Sequence, residues 1–187
     1  MAKHEIYIRA LEIGDYANIN RWHKDEKVFS TITSNKYFIS LARDKVWMEK
    51  LVLGGSNSMY WAICLKETDE MMGYMSLHNI DWRNRKSDVG GITIGREYQN
   101  LGLGLAAMDV VLQYIFNDLG LRKLFATYLE SHPITWHAIK RFGYKEEILY
   151  RESIYKLGKY HNVIGASLLK KDYKTLEQQK ASLKPNK

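Results

Sequence analysis

The chain has 187 residues, of which 45% are hydrophobic and 26% charged, and a formal net charge of +7; this is the composition of one globular domain, not of a disordered, collagen-like or disulfide-stapled chain. No apolar run reaches the length that spans a bilayer, and residues 1–5 lead into a polar-apolar alternation without an apolar leader, so a cytoplasmic protein with no membrane partner is expected. Residues 170–187 hold six lysines against Asp172 and Glu177, an excess of four that leaves about three positive charges for the rest; a frayed basic tail over 172–187 is expected, not a nucleic-acid-binding arm.

The only prolines are Pro133 and Pro185, and nothing between them reads as a linker, so residues 1–171 are expected to form one domain. Ile6 and Ile8 alternate with Tyr7 and Arg9 as a first strand, and Gly14-Asp15 then opens a helical pattern carrying Ile19 and Trp22. A second helix starts near Ser40, repeats apolar residues at Leu41, Val46, Trp47, Met48 and Leu51, and stops at Gly54-Gly55-Ser56-Asn57. Three strands follow over 59–65, 71–78 and 86–95, joined by polar turns as an antiparallel meander. Cys64 alternates within the first of these as a buried structural thiol. Leu101, Leu105, Met108, Leu112, Ile115, Phe116 and Leu119 then recur at spacings of three and four, with Gly120 at the position of a C-cap. A strand over 121–129, a helix over 133–142 and a strand pair over 144–155 and 160–169 complete an α/β chain with one mixed sheet.

The stretch Ile92-Thr93-Ile94-Gly95-Arg96-Glu97-Tyr98-Gln99-Asn100-Leu101-Gly102-Leu103-Gly104-Leu105 runs from a strand through closely spaced glycines into the long helix. A helix N-terminus offers unpaired N–H groups and a partial positive charge, and glycines let a phosphate approach them closely. The loop lacks the Gly-Lys-Ser/Thr ending of a P-loop and the third glycine of the dinucleotide fingerprint, which disfavours ATP and NAD. Upstream, Gly90-Gly91 interrupts the strand alternation and argues for a bulge or a close backbone approach.

Together these residues resemble the GNAT superfamily of acyl-CoA-dependent N-acetyltransferases, whose signature Gln/Arg-x-x-Gly-x-Gly/Ala here reads Gln99-Asn100-Leu101-Gly102-Leu103-Gly104. The branch with ribosomal-protein N-terminal and spermidine acetyltransferases is the most similar, through stretches such as Arg21-Trp22-His23-Lys24-Asp25 and Arg141-Phe142-Gly143-Tyr144. The resemblance implies a mostly antiparallel sheet of about seven strands, flanked by about four helices and containing a splayed pair. It also implies acetyl-CoA as cosubstrate, no metal, and direct acetyl transfer to a primary amine of a small molecule or protein N-terminus; homodimers are common in the family. Ile92, Thr93 and Ile94 would pair with pantetheine, Gln99 to Leu105 would take the pyrophosphate, and His132, where relatives have Asn, would also adjoin the cofactor. Asp88 would bind or deprotonate the amine, and Trp22, Tyr37 and Trp82 would wall the acceptor pocket. The family's usual acid, a Tyr, is replaced by Ile139, so Tyr144, Tyr128, His132 or water would protonate the leaving thiolate. That departure keeps open a second reading, a catalytically inactive acetyl-CoA sensor or interaction protein. A polyamine acceptor is disfavoured by the net positive charge.

Overall fold

A computed structural model describes residues 5–26, 28, 33, 39–54, 57–99 and 102–182. Seven strands form one sheet in the order β1-β2-β3-β4-β5-β7-β6. They are β1 (Ile6–Ala10), β2 (Met59–Leu65), β3 (Met71–Asp81), β4 (Lys86–Ile94), β5 (Lys123–Leu129), β6 (Lys145–Lys156) and β7 (Lys159–Leu169). Every pairing is antiparallel except β4 with β5, where the long crossover requires parallel strands.

Among the described residues five helices flank the sheet: α1 (Tyr16–His23), α2 (Leu41–Leu53), α3 (Leu103–Asn117), α4 (Pro133–Lys140) and α5 (Leu176–Ser182). Ser40 starts α2 by accepting the Arg43 N–H on its hydroxyl at 3.2 Å, the capping chemistry expected of serine. Pro133 opens α4, where its missing N–H costs nothing, and Gly120 follows α3 with a positive φ of 66°.

The sheet is buried on both faces, and the period of two along β2 divides its side chains between them. Ala62 and Cys64 meet Ile19, Trp22 and Met48 of α1 and α2. Trp61, Ile63 and Leu65 meet the opposite layer, where α3 supplies Ala107, Val111, Leu112, Ile115 and Phe116 and α4 supplies Ile139. The segment expected as a frayed tail contributes to this second layer. Tyr173 packs on Phe116 and Phe142, and Leu176 reaches the same core as the start of α5. Two large apolar side chains outweigh the lysines around them.

Candidate active site

The sheet opens at its centre. Lys86, Ser87 and Asp88 of β4 pair with Lys123, Leu124 and Phe125 of β5, and no pairing follows. Beyond Asp88, β5 continues against β7 alone, so residues 89–94 of β4 keep one unpaired edge facing β5. The cause is local. Met75 stands opposite Ile92 and Leu77 opposite Val89, so Ser76 of β3 faces both Gly90 and Gly91. This is a bulge, which bends its strand and increases the local twist. Gly91 sits at φ +93°, a conformation that L side chains rarely adopt. A Cβ on Gly90 would lie 2.2 Å from Ser76 Oγ and 2.3 Å from His78 Nε2, so a side chain there would have to displace them.

Past the opening, β4 leads through a 3-10 turn (Arg96–Tyr98) to the N-terminus of α3. Gln99 folds its side-chain amide back onto the Ile94 carbonyl at 3.0 Å, which pins the turn to the strand end. Gly102 is the N-cap of α3 at φ +74°. The first helical bond runs from the Ala106 N–H to the Gly102 carbonyl, which leaves the N–H groups of Leu103, Gly104 and Leu105 without partners inside the helix. Among the described residues a Cβ on Gly104 would meet only Ile94 Cγ1, at 3.7 Å. Packing among the described residues therefore does not require glycine at 104. No acidic residue stands in the first turn of α3. The result is an unpaired strand edge continuous with an anion-accepting helix end, the two parts that an extended thiol cofactor with a pyrophosphate needs.

On the α1 and α2 face, polar groups line the sheet beside the bulge. Asp88 accepts from the Asn79 amide at 2.7 Å and stands opposite His78 in the strand register. Trp22 is buried and stacks on Tyr74 with ring centroids 6.2 Å apart. The Tyr74 hydroxyl lies 3.4 Å from His23 Nε2, and His23 Nδ1 lies 3.2 Å from the buried carboxylate of Asp44. Sequence reading did not reach the His23–Asp44 contact or the place of His78, because neither pair has a spacing that marks it. The Gly90-Gly91 interruption was the one available signal, since a bulge predicts that something packs against it.

The remaining expected residues are dispersed. Trp82 is exposed on the turn between β3 and β4. His132 caps α4 and its Nδ1 lies 3.0 Å from Thr135 Oγ1, with burial holding its pKa below the ordinary value. Tyr144 is 2% exposed in the α3 core, and its hydroxyl has no hydrogen-bond partner among the described residues; burial holds the phenol protonated. Tyr128 donates to Glu146 and stacks on Trp136, and burial raises its pKa. Ile139, at the family's acid position, is a core residue at 5% exposure. Tyr37, Asn100 and Leu101 lie outside the described residues. Among the described residues no group of three or more His, Cys, Asp or Glu side chains could hold a metal ion, and no helix is long and apolar enough to cross a membrane.

The family model described as "Acetyltransferase (GNAT) domain" matches residues 5–145, which include both the splayed strands and the glycine-led helix. The chain belongs to the GNAT acetyltransferase family. Membership gives the reaction class, acetyl transfer to an amine nitrogen. Among similar proteins, a putative ribosomal N-acetyltransferase, YdaF of Bacillus subtilis, is 30% identical over 103 residues, or 55% of this chain and 56% of that protein. An uncharacterized N-acetyltransferase, p20 of Bacillus licheniformis, is 26% identical over 89% of this chain and 93% of its own length. The fold of this GNAT chain superposes on spermidine N-acetyltransferase from Vibrio cholerae, solved in complex with CoA and spermine, with a TM-score of 0.83 at 22% identity, covering 90% of this chain and 97% of that one.

Proposed function

We propose that the protein transfers acetyl from acetyl-CoA directly to a primary amine of a small molecule or of a protein N-terminus. The observation that carries this reading is the divergence of β4 from β5 after Asp88, at a glycine bulge that leads straight to the open N-terminus of α3. Pantetheine would complete the unpaired edge at Ile92, Thr93 and Ile94, and the amides of residues 99–105 would take the pyrophosphate. A backbone N–H near Ile92 or Thr93 would polarise the thioester carbonyl and stabilise the developing oxyanion, worth about 2.7–4 kcal/mol where such donors have been removed from other enzymes.

The acceptor side imposes its own requirement. An alkyl amine with a pKa of about 10.4 is neutral in only about one molecule in several thousand at pH 7, so a group beside the bulge must remove or receive a proton. Asp88 is on that face of β4 and would attract the incoming ammonium. Tyr144, a buried donor with no partner among the described residues, would hydrogen-bond the departing thiolate sulfur. Trp22 and Trp82 would bound the acceptor pocket.

Calorimetric titration with acetyl-CoA, with ATP and NAD as controls, tests the cofactor; coupled thiol release across primary amines tests the transfer. Saturable binding near one per chain with turnover of at least one amine is the expected result. Binding without turnover across the panel would assign the chain to the sensor reading, which the buried Ile139 at the acid position favours.

A further inference from the structure

Resting on the acetyltransferase reading, we infer that His78 is the proton acceptor for the attacking amine, with Asp88 stabilising the imidazolium that forms. His78 lies on β3, two residues after Ser76, whose partners across the strand pair are the bulge glycines. Its Nε2 occupies the place that a Gly90 side chain would fill. The imidazole thus adjoins the backbone kink that separates β4 from β5, on the α1 and α2 face rather than the α3 face.

Its neighbours fix the ring. Nε2 is 3.0 Å from Ser76 Oγ, and Nδ1 is 3.4 Å from both Ser58 Oγ and the Tyr60 hydroxyl. The Tyr60 ring meets it edge-on at 5.4 Å. With the proton on Nδ1, directed at the Ser58 and Tyr60 oxygens, Nε2 on the bulge side accepts the Ser76 O–H, which turns aside when Nε2 takes the amine proton. Burial lowers the pKa of His78, and the carboxylate of Asp88, its register partner, partly restores it. The ring is therefore neutral near pH 7 and acquires a counter-ion when it takes a proton. Tyr60 is the other titratable group against the ring; burial raises its pKa, so it stays protonated as the ring changes charge.

The other histidines of the described residues are placed elsewhere. His23 contacts Asp44, His132 precedes α4 as its N-cap and His137 lies within it, and His161 of β7 bonds the Lys156 carbonyl of β6. His78 is the imidazole at the opening. In the step, the neutral amine nitrogen bonds to the thioester carbonyl carbon and its proton moves to His78 Nε2. Collapse then breaks the C–S bond, with the electron pair leaving on sulfur. The imidazolium returns its proton to the thiolate, directly or through one water, and neutral His78 is regenerated.

The test uses the full chain, acetyl-CoA, and two amines: spermidine and a hexapeptide with a free N-terminus. His78→Gln is expected to lower kcat/KM by about 10²–10⁴-fold and to remove from the acidic limb of its pH profile the inflection below pH 6.5, leaving the slope set by protonation of the amine, with acetyl-CoA affinity within about threefold of the parent. His78→Ala is expected to regain turnover when imidazole is added. Parent-like turnover of His78→Gln, with that inflection retained, overturns the assignment. A second measurement needs no turnover: the ring Cε1–H resonance of His78, identified by its loss in His78→Gln, is titrated from pH 5 to 8 with and without acetyl-CoA. A midpoint below 6.5 that moves on saturation is expected; binding that leaves this resonance unmoved overturns the assignment alone. Absence of acetyl-CoA binding by calorimetry overturns the acetyltransferase reading itself.

Discussion

The Tyr173 hydroxyl donates to the Asp109 carboxylate at 2.6 Å, tying the segment after the last strand to the middle of α3. The other Asp109 oxygen accepts the Leu176 N–H at 3.2 Å, so one carboxylate both anchors the tyrosine and starts α5. Tyr173→Phe retains the packing on Phe116 and Phe142 and removes only the charge-assisted bond, a loss expected to be about 1–2 kcal/mol in urea unfolding. Truncation after Asp172 should cost more, while acetyl-CoA affinity stays unchanged. Equal stability of Tyr173→Phe and the parent would show that the bond contributes nothing.

Gly102 and Gly104 should separate by experiment. Gly102→Ala forces a side chain into a positive φ and should lower stability by about 1 kcal/mol. Gly104→Val has room for its Cβ and stands in the first helical turn, so the melting temperature should hold. Acetyl-CoA affinity should nonetheless fall at least tenfold, because the added methyl groups occupy the approach to the helix amides. A Gly104→Val protein with parent-like affinity by calorimetry would remove the phosphate role of this loop.

Asp44 sits at 2% exposure between the Asn20 amide, at 2.6 Å, and His23. Asp44→Ala leaves that amide without its acceptor in the interior and is expected to cost about 2–3 kcal/mol. Asp44→Asn retains the volume and one acceptor, and should recover part of the loss in denaturant titrations.

His132 gives a pH signature. Burial lowers its folded-state pKa from the ordinary 6.5, so the unfolded chain binds more protons between the two values. Its contribution to stability is complete above about pH 6.5 and is lost as pH falls through that window. His132→Asn places a favoured N-cap residue there and has no proton to bind, so the acid-side decline in melting temperature should be shallower than in the parent. Identical slopes from pH 7 to 5 would assign the decline to other groups.

At the acceptor face, Asp88→Asn should depress turnover while leaving acetyl-CoA affinity nearly intact, because the side chain lies on β4 ahead of the unpaired edge. Unchanged turnover across the pH range would remove Asp88 from the mechanism.

Much of this architecture is legible in the sequence, because it rests on local periodicity and punctuation. The alternation around Cys64, the Ser40 cap, the Gly120 terminator and the Gly90-Gly91 interruption each act within a few residues of where they are read. Tyr173 and Asp109 stand 64 residues apart, and nothing in the lysine-rich flank signals that one tyrosine will enter the α3 layer. His78 was equally hidden. As one member of an alternating strand it looks like any half-buried side chain, until the register places it across from Asp88 and against Gly90. Tyr144 shows the opposite limit, since the family resemblance at Arg141-Phe142-Gly143-Tyr144 brought it forward but not the core environment of its hydroxyl.

An unpaired strand edge is ordinarily where neighbouring chains stick together. Here the exposed backbone of residues 89–94 lies inside a notch walled by the protein's own strands and closed at the Asp88 end. A slender thread can enter that notch, whereas the edge of another folded sheet cannot. The fold thereby keeps a hungry backbone available to a reactant while hiding it from its own kind.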